Sequence, residues 1–106
     1  PLTVSAEITP EYISQRAKAY GVSSSVAIVI VQSESQFNEK AVGDSKYVCP
    51  RTRKIAPSYG LSQISSCYHN YPISMLLDAD FNLDFLLWNL SLGKCKMWST
   101  CPIKDV

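Results

Sequence analysis

The stretch from Ser24 to about Phe37 constrains this chain more than any other. Its centre, Val26-Ala27-Ile28-Val29-Ile30-Val31, is the longest uninterrupted apolar run in the sequence. The segment is read as running on through Gln32-Ser33-Glu34 to the polar stretch from Ser35 to Asn38. β-branched residues favour strands locally, but a run of about 13 residues suits a buried helix better than a strand. Ser23 and Ser24 are candidate caps for it. The apolar run is far short of the roughly 20 residues a spanning helix needs, so no membrane span is expected.

A first helix has a clear start ahead of it. Thr9 can cap, Pro10 stands at the first helical position and Glu11 favours the positive end. The pattern predicts a helix to about Tyr20, stopped by Gly21. From Asn38 to Tyr59 the sequence turns irregular, with Gly43-Asp44, Pro50, Pro57 and the cations Lys46, Arg51, Arg53 and Lys54. That reads as a long surface loop with room for a short hairpin, tied down at Cys49, and long loops in compact domains are often functional. A short helix is expected within 61–67, and another from Pro72 to about Leu77. Asp80 is the expected cap of a last long helix, Phe81 to Leu92, ended by Gly93. The expected fold class is mainly α, with the longest loop between the second and third helices.

At 106 residues one domain spanning 1–106 can bury a real core. A hydrophobic fraction of 46% and a charged fraction of 18% argue against disorder. The net charge of +1 sets up no strong field, so nucleic acid is not an expected partner. The basic loop reads as a solvated surface, and Trp88 and Trp98 as core. The chain opens at Pro1 with no signal-like stretch, which reads as processing or trimming with any targeting segment out of view.

Cys49, Cys67, Cys95 and Cys101 are an even number in a short chain, which points to oxidised pairs in an extracytoplasmic compartment. Three connectivities are open. Cys49–Cys67 with Cys95–Cys101 is favoured, because each closes a short segment with turn residues inside or beside it. A zinc site through Cys67 and His69 is the competing reading, but there is no Cys-x-x-Cys pair and the spacings match no common zinc pattern. No metal or organic cofactor is expected. His69 reads as a surface or helix-end residue.

Glu34 is the residue to single out for chemistry. It lies four residues after Ile30 and three after Val31, on a face shared with apolar side chains, at the negative end of its helix. Such surroundings favour a protonated carboxyl, the form a general acid requires. The plainer account is an exposed helix-end carboxylate paired with Lys40 or another cation. Its neighbours change the weighing. Glu34-Ser35-Gln36-Phe37-Asn38 with Ala41-Val42-Gly43, then Tyr59-Gly60-Leu61-Ser62-Gln63-Ile64, then Asp80-Phe81-Asn82-Leu83 stand in one order and spacing. Together they resemble the catalytic, G-L-M-Q-I and D-P-x-x-N-I motifs of the soluble lytic transglycosylase and goose-type lysozyme superfamily, over roughly Thr9 to Cys101.

The resemblance implies a small lysozyme-like helical domain with a long loop after the catalytic helix. It implies cleavage of the β-1,4 bond between N-acetylmuramic acid and N-acetylglucosamine in peptidoglycan strands, with Glu34 as acid and then base, leaving 1,6-anhydro ends. Ser35 would orient Glu34 or bind substrate, and Gln63, Tyr59 and Gly60 would face the glycan. Asp44 is the possible second carboxylate of a water-activating relative, and otherwise a turn residue beside Gly43. A monomer is expected. Two departures stand out: Leu86 and Asn89 occupy positions where the family commonly has glycine and a tyrosine that helps hold the glutamate. Tyr47, Tyr68 or Tyr71 could substitute, and Trp98-Ser99-Thr100-Cys101 resembles the W-S-x-C close of short members. The departures leave lyase and hydrolase both open, and with them a binding module that has lost turnover or an interaction domain with no glycan ligand.

Overall fold

The computed structural model describes residues 8–103, so the reading of Pro1 and the two ends of the expected 1–106 domain lie outside the described residues. The first helix, α1, runs Pro10–Tyr20, with the Thr9 side chain accepting from Tyr12 N and Gly21 closing the end at φ 70°. The second, α2, runs Ser24–Ser35 with Ser23 as its cap. It ends two residues before the expected Phe37, because Gln36 and Phe37 take left-handed φ values of 53° and 63°, which no right-handed helix continues through.

A three-stranded antiparallel sheet follows, in the order β1 (Val42–Gly43), β2 (Ser58–Tyr59), β3 (Ile64–Ser65). Val42 faces Tyr59, and Tyr59 faces Ile64. The helix expected within 61–67 is therefore corrected to a turn and a strand. Gly60 at φ 82° and Gln63 at φ 53° reverse the chain where a helix would have had to persist. Between β1 and β2 the loop folds on itself, with Val48 bridging Ile55 and Cys49 N donating to Lys54 O. Disulfides join Cys49 to Cys67 and Cys95 to Cys101.

Beyond Pro72, a single turn α3 (Ile73–Leu76) leads into α4 (Ala79–Ser91). The cap of α4 is Asp78, whose carboxylate accepts from Phe81 N at 2.9 Å, and not Asp80. Asp80 lies two residues further on, in the first turn, and faces α1, where it pairs with Arg16 at 3.0 Å; Asp84 pairs with the same guanidinium. A 3-10 turn, Cys95–Met97, precedes Trp98.

The molecule is mainly α, and its core lies where α1, α2 and α4 meet. Ile13 and Ala17, then Ala27, Ile30 and Val31, then Leu83, Leu86 and Leu87 are fully buried there. Each large aliphatic among them contributes about 1.5–3 kcal/mol over its exposed state. Leu61 enters the same core from the β2–β3 turn, so the sheet is anchored to the helices. Trp98 is buried as expected, but Trp88 is 57% exposed. It falls on the outer side of α4, opposite the stripe of Leu83, Leu86 and Leu87.

Candidate active site

Glu34 occupies the last turn of α2, half-buried. Its Oε2 accepts from the Thr100 hydroxyl at 2.7 Å. Lys40, the cation of the plainer account, instead donates to Leu77 O at 3.2 Å. Glu34 opens onto a cleft of about 480 Å³, which Asp44, Tyr47, Gln63, Tyr68 and His69 also line. Trp98 and Ser99 complete the side nearest Thr100.

Two residues of the cleft wall, Asp44 and Gln63, have left-handed backbone, and two more, Gln36 and Phe37, follow directly after the helix that carries Glu34. Such conformations cost about 1–3 kcal/mol each and cluster where side chains must be aimed. Asp44 turns at φ 53° directly after β1 and its Oδ2 accepts from Ser58 Oγ at 2.9 Å. Both the turn role and a place on the cleft wall belong to it. Gln63 donates through Nε2 to Ala41 O and Gly60 O. Its Oε1 crosses so close over Gly43 that a Cβ there would sit 2.2 Å away, so Gly43 is needed for Gln63 to lie as it does.

Tyr47 and Tyr68 meet hydroxyl to hydroxyl at 3.0 Å on the cleft, both substantially exposed. They stand two residues before Cys49 and one after Cys67, so the disulfide brings the two rings together. The Tyr68 hydroxyl raises the Tyr47 phenol above its ordinary pKa, so Tyr47 keeps its proton to higher pH. His69, read as a surface or helix-end residue, lies on the cleft, edge-on to Phe85 at 5.0 Å. Burial lowers its imidazole below the usual value and favours the neutral ring.

The structure does not bring the remaining sequence candidates onto the cleft. Ser35 is buried and donates back to Val31 O at 3.1 Å. Tyr59 is half-buried in β2, between Val42 and Ile64. Gly60 packs against α4, where an added Cβ would lie 2.2 Å from Asn82 Nδ2 and 2.4 Å from Leu76 O. Asn82 is the hub behind this wall. Its Oδ1 accepts from Ser62 N and Ser62 Oγ, and its Nδ2 donates to Tyr59 O and Leu76 O. Those four bonds use the amide's full capacity. They explain why Tyr59-Gly60-Leu61-Ser62-Gln63 and Asp80-Phe81-Asn82 stand in one chain: the first segment is bolted to the second.

Two contributions were not read from the sequence. Thr100 reaches Glu34 across 66 positions, and only its place beside Cys101 hinted at a fixed position. Trp98 ties the same end of the chain to the wall by donating Nε1 to Ser62 O at 2.7 Å. Chemically, two carboxylates, an amide, two phenols and an imidazole face one cleft, which suits proton transfer and hydrogen bonding to a polyhydroxylated, amide-bearing ligand. Among the described residues no group of three or more His, Cys, Asp or Glu could hold a metal ion.

Residues 11–71, more than half of the chain, match the family model of the transglycosylase SLT domain. That span contains Glu34, Asp44, Gln63 and both cleft tyrosines, and ends before α4. No curated protein and no solved structure matches the chain.

Proposed function

Because this chain belongs to the transglycosylase SLT family, we propose that it cleaves the β-1,4 bond between N-acetylmuramic acid and N-acetylglucosamine in peptidoglycan, with Glu34 as general acid and then base. The observation that carries this reading is the placement of Glu34, half-buried at a helix end, on a cleft walled by hydrogen-bonding and aromatic side chains. In the reaction the Glu34 carboxyl gives its proton to the bridging oxygen as the C1–O4 bond breaks. The muramic C6 hydroxyl attacks C1, a C1–O6 bond forms, and the Glu34 carboxylate takes the hydroxyl proton. The acid is thereby restored and a 1,6-anhydro end is left. Gln63, Tyr47 and Tyr68 hold the sugars. The phenyl faces of the tyrosines offer apolar area to the ring C–H groups, and their hydroxyls bond to sugar oxygens.

A second reading has its own observation: Asp44 lines the same cleft as Glu34. In that route Asp44 activates a water molecule, which attacks C1 in place of the C6 hydroxyl and leaves a reducing end. The two disulfides fit an oxidising, extracytoplasmic workplace. No helix among the described residues is long and apolar enough to cross a membrane, and this domain is expected to act as a monomer. Mass spectrometry of soluble products from purified peptidoglycan, with wild type and Glu34→Gln in parallel, tests the proposal. The expected result is 1,6-anhydro fragments from wild type and none from the variant. Reducing ends would favour the Asp44 route, and no fragments from wild type would leave a binding module.

A further inference from the structure

Glu34 is the penultimate residue of α2, and the two residues that follow the helix, Gln36 and Phe37, turn left-handed. A free glutamate side chain samples several rotamers, and fixing one costs on the order of 1.5–2 kcal/mol of conformational entropy. A proton donor placed in advance avoids that cost during the reaction. The Thr100 hydroxyl, 2.7 Å from Oε2, is the contact that fixes it, at a length ordinary for a hydroxyl bound to a carboxyl group.

The segment that carries Thr100 is itself held at both ends. Cys95 and Cys101 are bonded six residues apart, Cys101 N donates to Trp98 O, and Trp98 Nε1 donates to Ser62 O behind Gln63. Ser99, one residue earlier, lines the cleft beside Glu34. The type of partner also matters. A hydroxyl can donate to a carboxylate and accept from a carboxylic acid, so the contact persists whether Glu34 carries its proton or has given it away. Lysine or arginine could only donate, and would favour the ionised form alone.

We infer that Thr100 is the positioning residue of Glu34: the disulfide-closed segment 95–101 presents its hydroxyl to hold Oε2 through both halves of the proton cycle, leaving Oε1 for the transfer. This rests on the proposed glycosidase reading, because a glutamate with no proton to move needs no such partner. The test is saturation kinetics on soluble glycan strands, with wild type, Thr100→Val, Thr100→Ala and Thr100→Ser, each checked by thermal unfolding.

Loss of one hydrogen bond to the reacting carboxyl predicts a fall in kcat of about 10- to 100-fold for Val and Ala, with KM within about twofold. Thr100→Ser restores the hydroxyl and is expected to recover most of that rate. Three results overturn the inference while the glycosidase reading stands: Val and Ala variants as fast as wild type, a Ser variant as slow as Val, or Val and Ala variants that both fail to fold. Wild type that releases no fragments overturns the glycosidase reading, and this inference with it.

Discussion

The helical half and the cleft half of this molecule are held together by different physics. The packing of α1, α2 and α4 rests on apolar stripes at helical spacing, with Leu83, Leu86 and Leu87 closing over Ile13, Ile30 and Val31. On the cleft side, from Asn38 to Pro72 and again from Cys95 to Cys101, strands of two residues and a 3-10 turn bury fewer large apolar side chains, Leu61, Ile64 and Trp98 among them. There the chain is fixed by two disulfides, the Asn82 hub and a set of left-handed residues. Apolar packing is tolerant of composition and sets stability. Directional bonds are intolerant, and set where a carboxylate or a phenol points. Damage to the first half should therefore appear mainly in folding, and damage to the second mainly in turnover and binding.

The largest effect expected is in the helical core. Leu86→Ala should lower unfolding free energy by about 2–5 kcal/mol, read by urea denaturation, while the rate per folded molecule is unchanged. A large rate loss in the folded fraction would break the division. Asn82 stands on the seam. Asn82→Ala strands the Ser62 donors and the carbonyls of Tyr59 and Leu76, at about 3 kcal/mol, and should slow turnover as well by loosening the wall that carries Gln63.

The two disulfides sharpen the comparison further. Replacing Cys49 and Cys67 by serine should cost about 3 kcal/mol and replacing Cys95 and Cys101 about 2 kcal/mol, from loop closure over separations of 18 and 6 residues. The kinetic losses should divide differently. The first pair frees Tyr47 from Tyr68 and should raise KM; the second frees Thr100 and should lower kcat. Saturation kinetics on the two double variants measures both.

The smallest effect is electrostatic. His69 has a lowered folded-state pKa from burial, so in acid the unfolded chain binds a proton that the folded chain resists. Its contribution is neutral above the unfolded value near 6.5, and stability falls as pH drops through 6.5 toward the folded value. Because the ring is only half-buried, the fall in Tm between pH 7.5 and 5.5 should be slight. The same scan on His69→Gln should be flatter.

The same division explains what could be read from the sequence. Helix starts were legible because caps act on the adjacent residues: Thr9-Pro10, Gly21 and Ser23 stand where the helices begin and end. Asp78 and Asp80 are chemically alike, so only the backbone could decide which one caps α4. The sheet was not legible, since two-residue strands carry no periodicity, and neither was the turn at Gly60 and Gln63 that replaced the expected helix. Glu34, Asp44 and Gln63 do share one cleft. Tyr59, Gly60 and Ser35 face elsewhere, because residues adjacent in a motif point to opposite sides of a strand or are spent on packing. Contacts across the chain, such as Thr100 on Glu34 and Tyr47 on Tyr68, have no local signature beyond the cysteines beside them.

The central claim is that this cleft is where a glycan strand is cut by Glu34. Its most direct test is a crystal structure of Glu34→Gln with a bound peptidoglycan fragment. The account predicts the bridging oxygen between muramic acid and glucosamine within hydrogen-bond reach, about 2.6–3.2 Å, of the side-chain amide at position 34, with sugar rings against Tyr47 and Tyr68. A fragment seated elsewhere on the molecule, or lying in the cleft with no bridging oxygen near position 34, would contradict it.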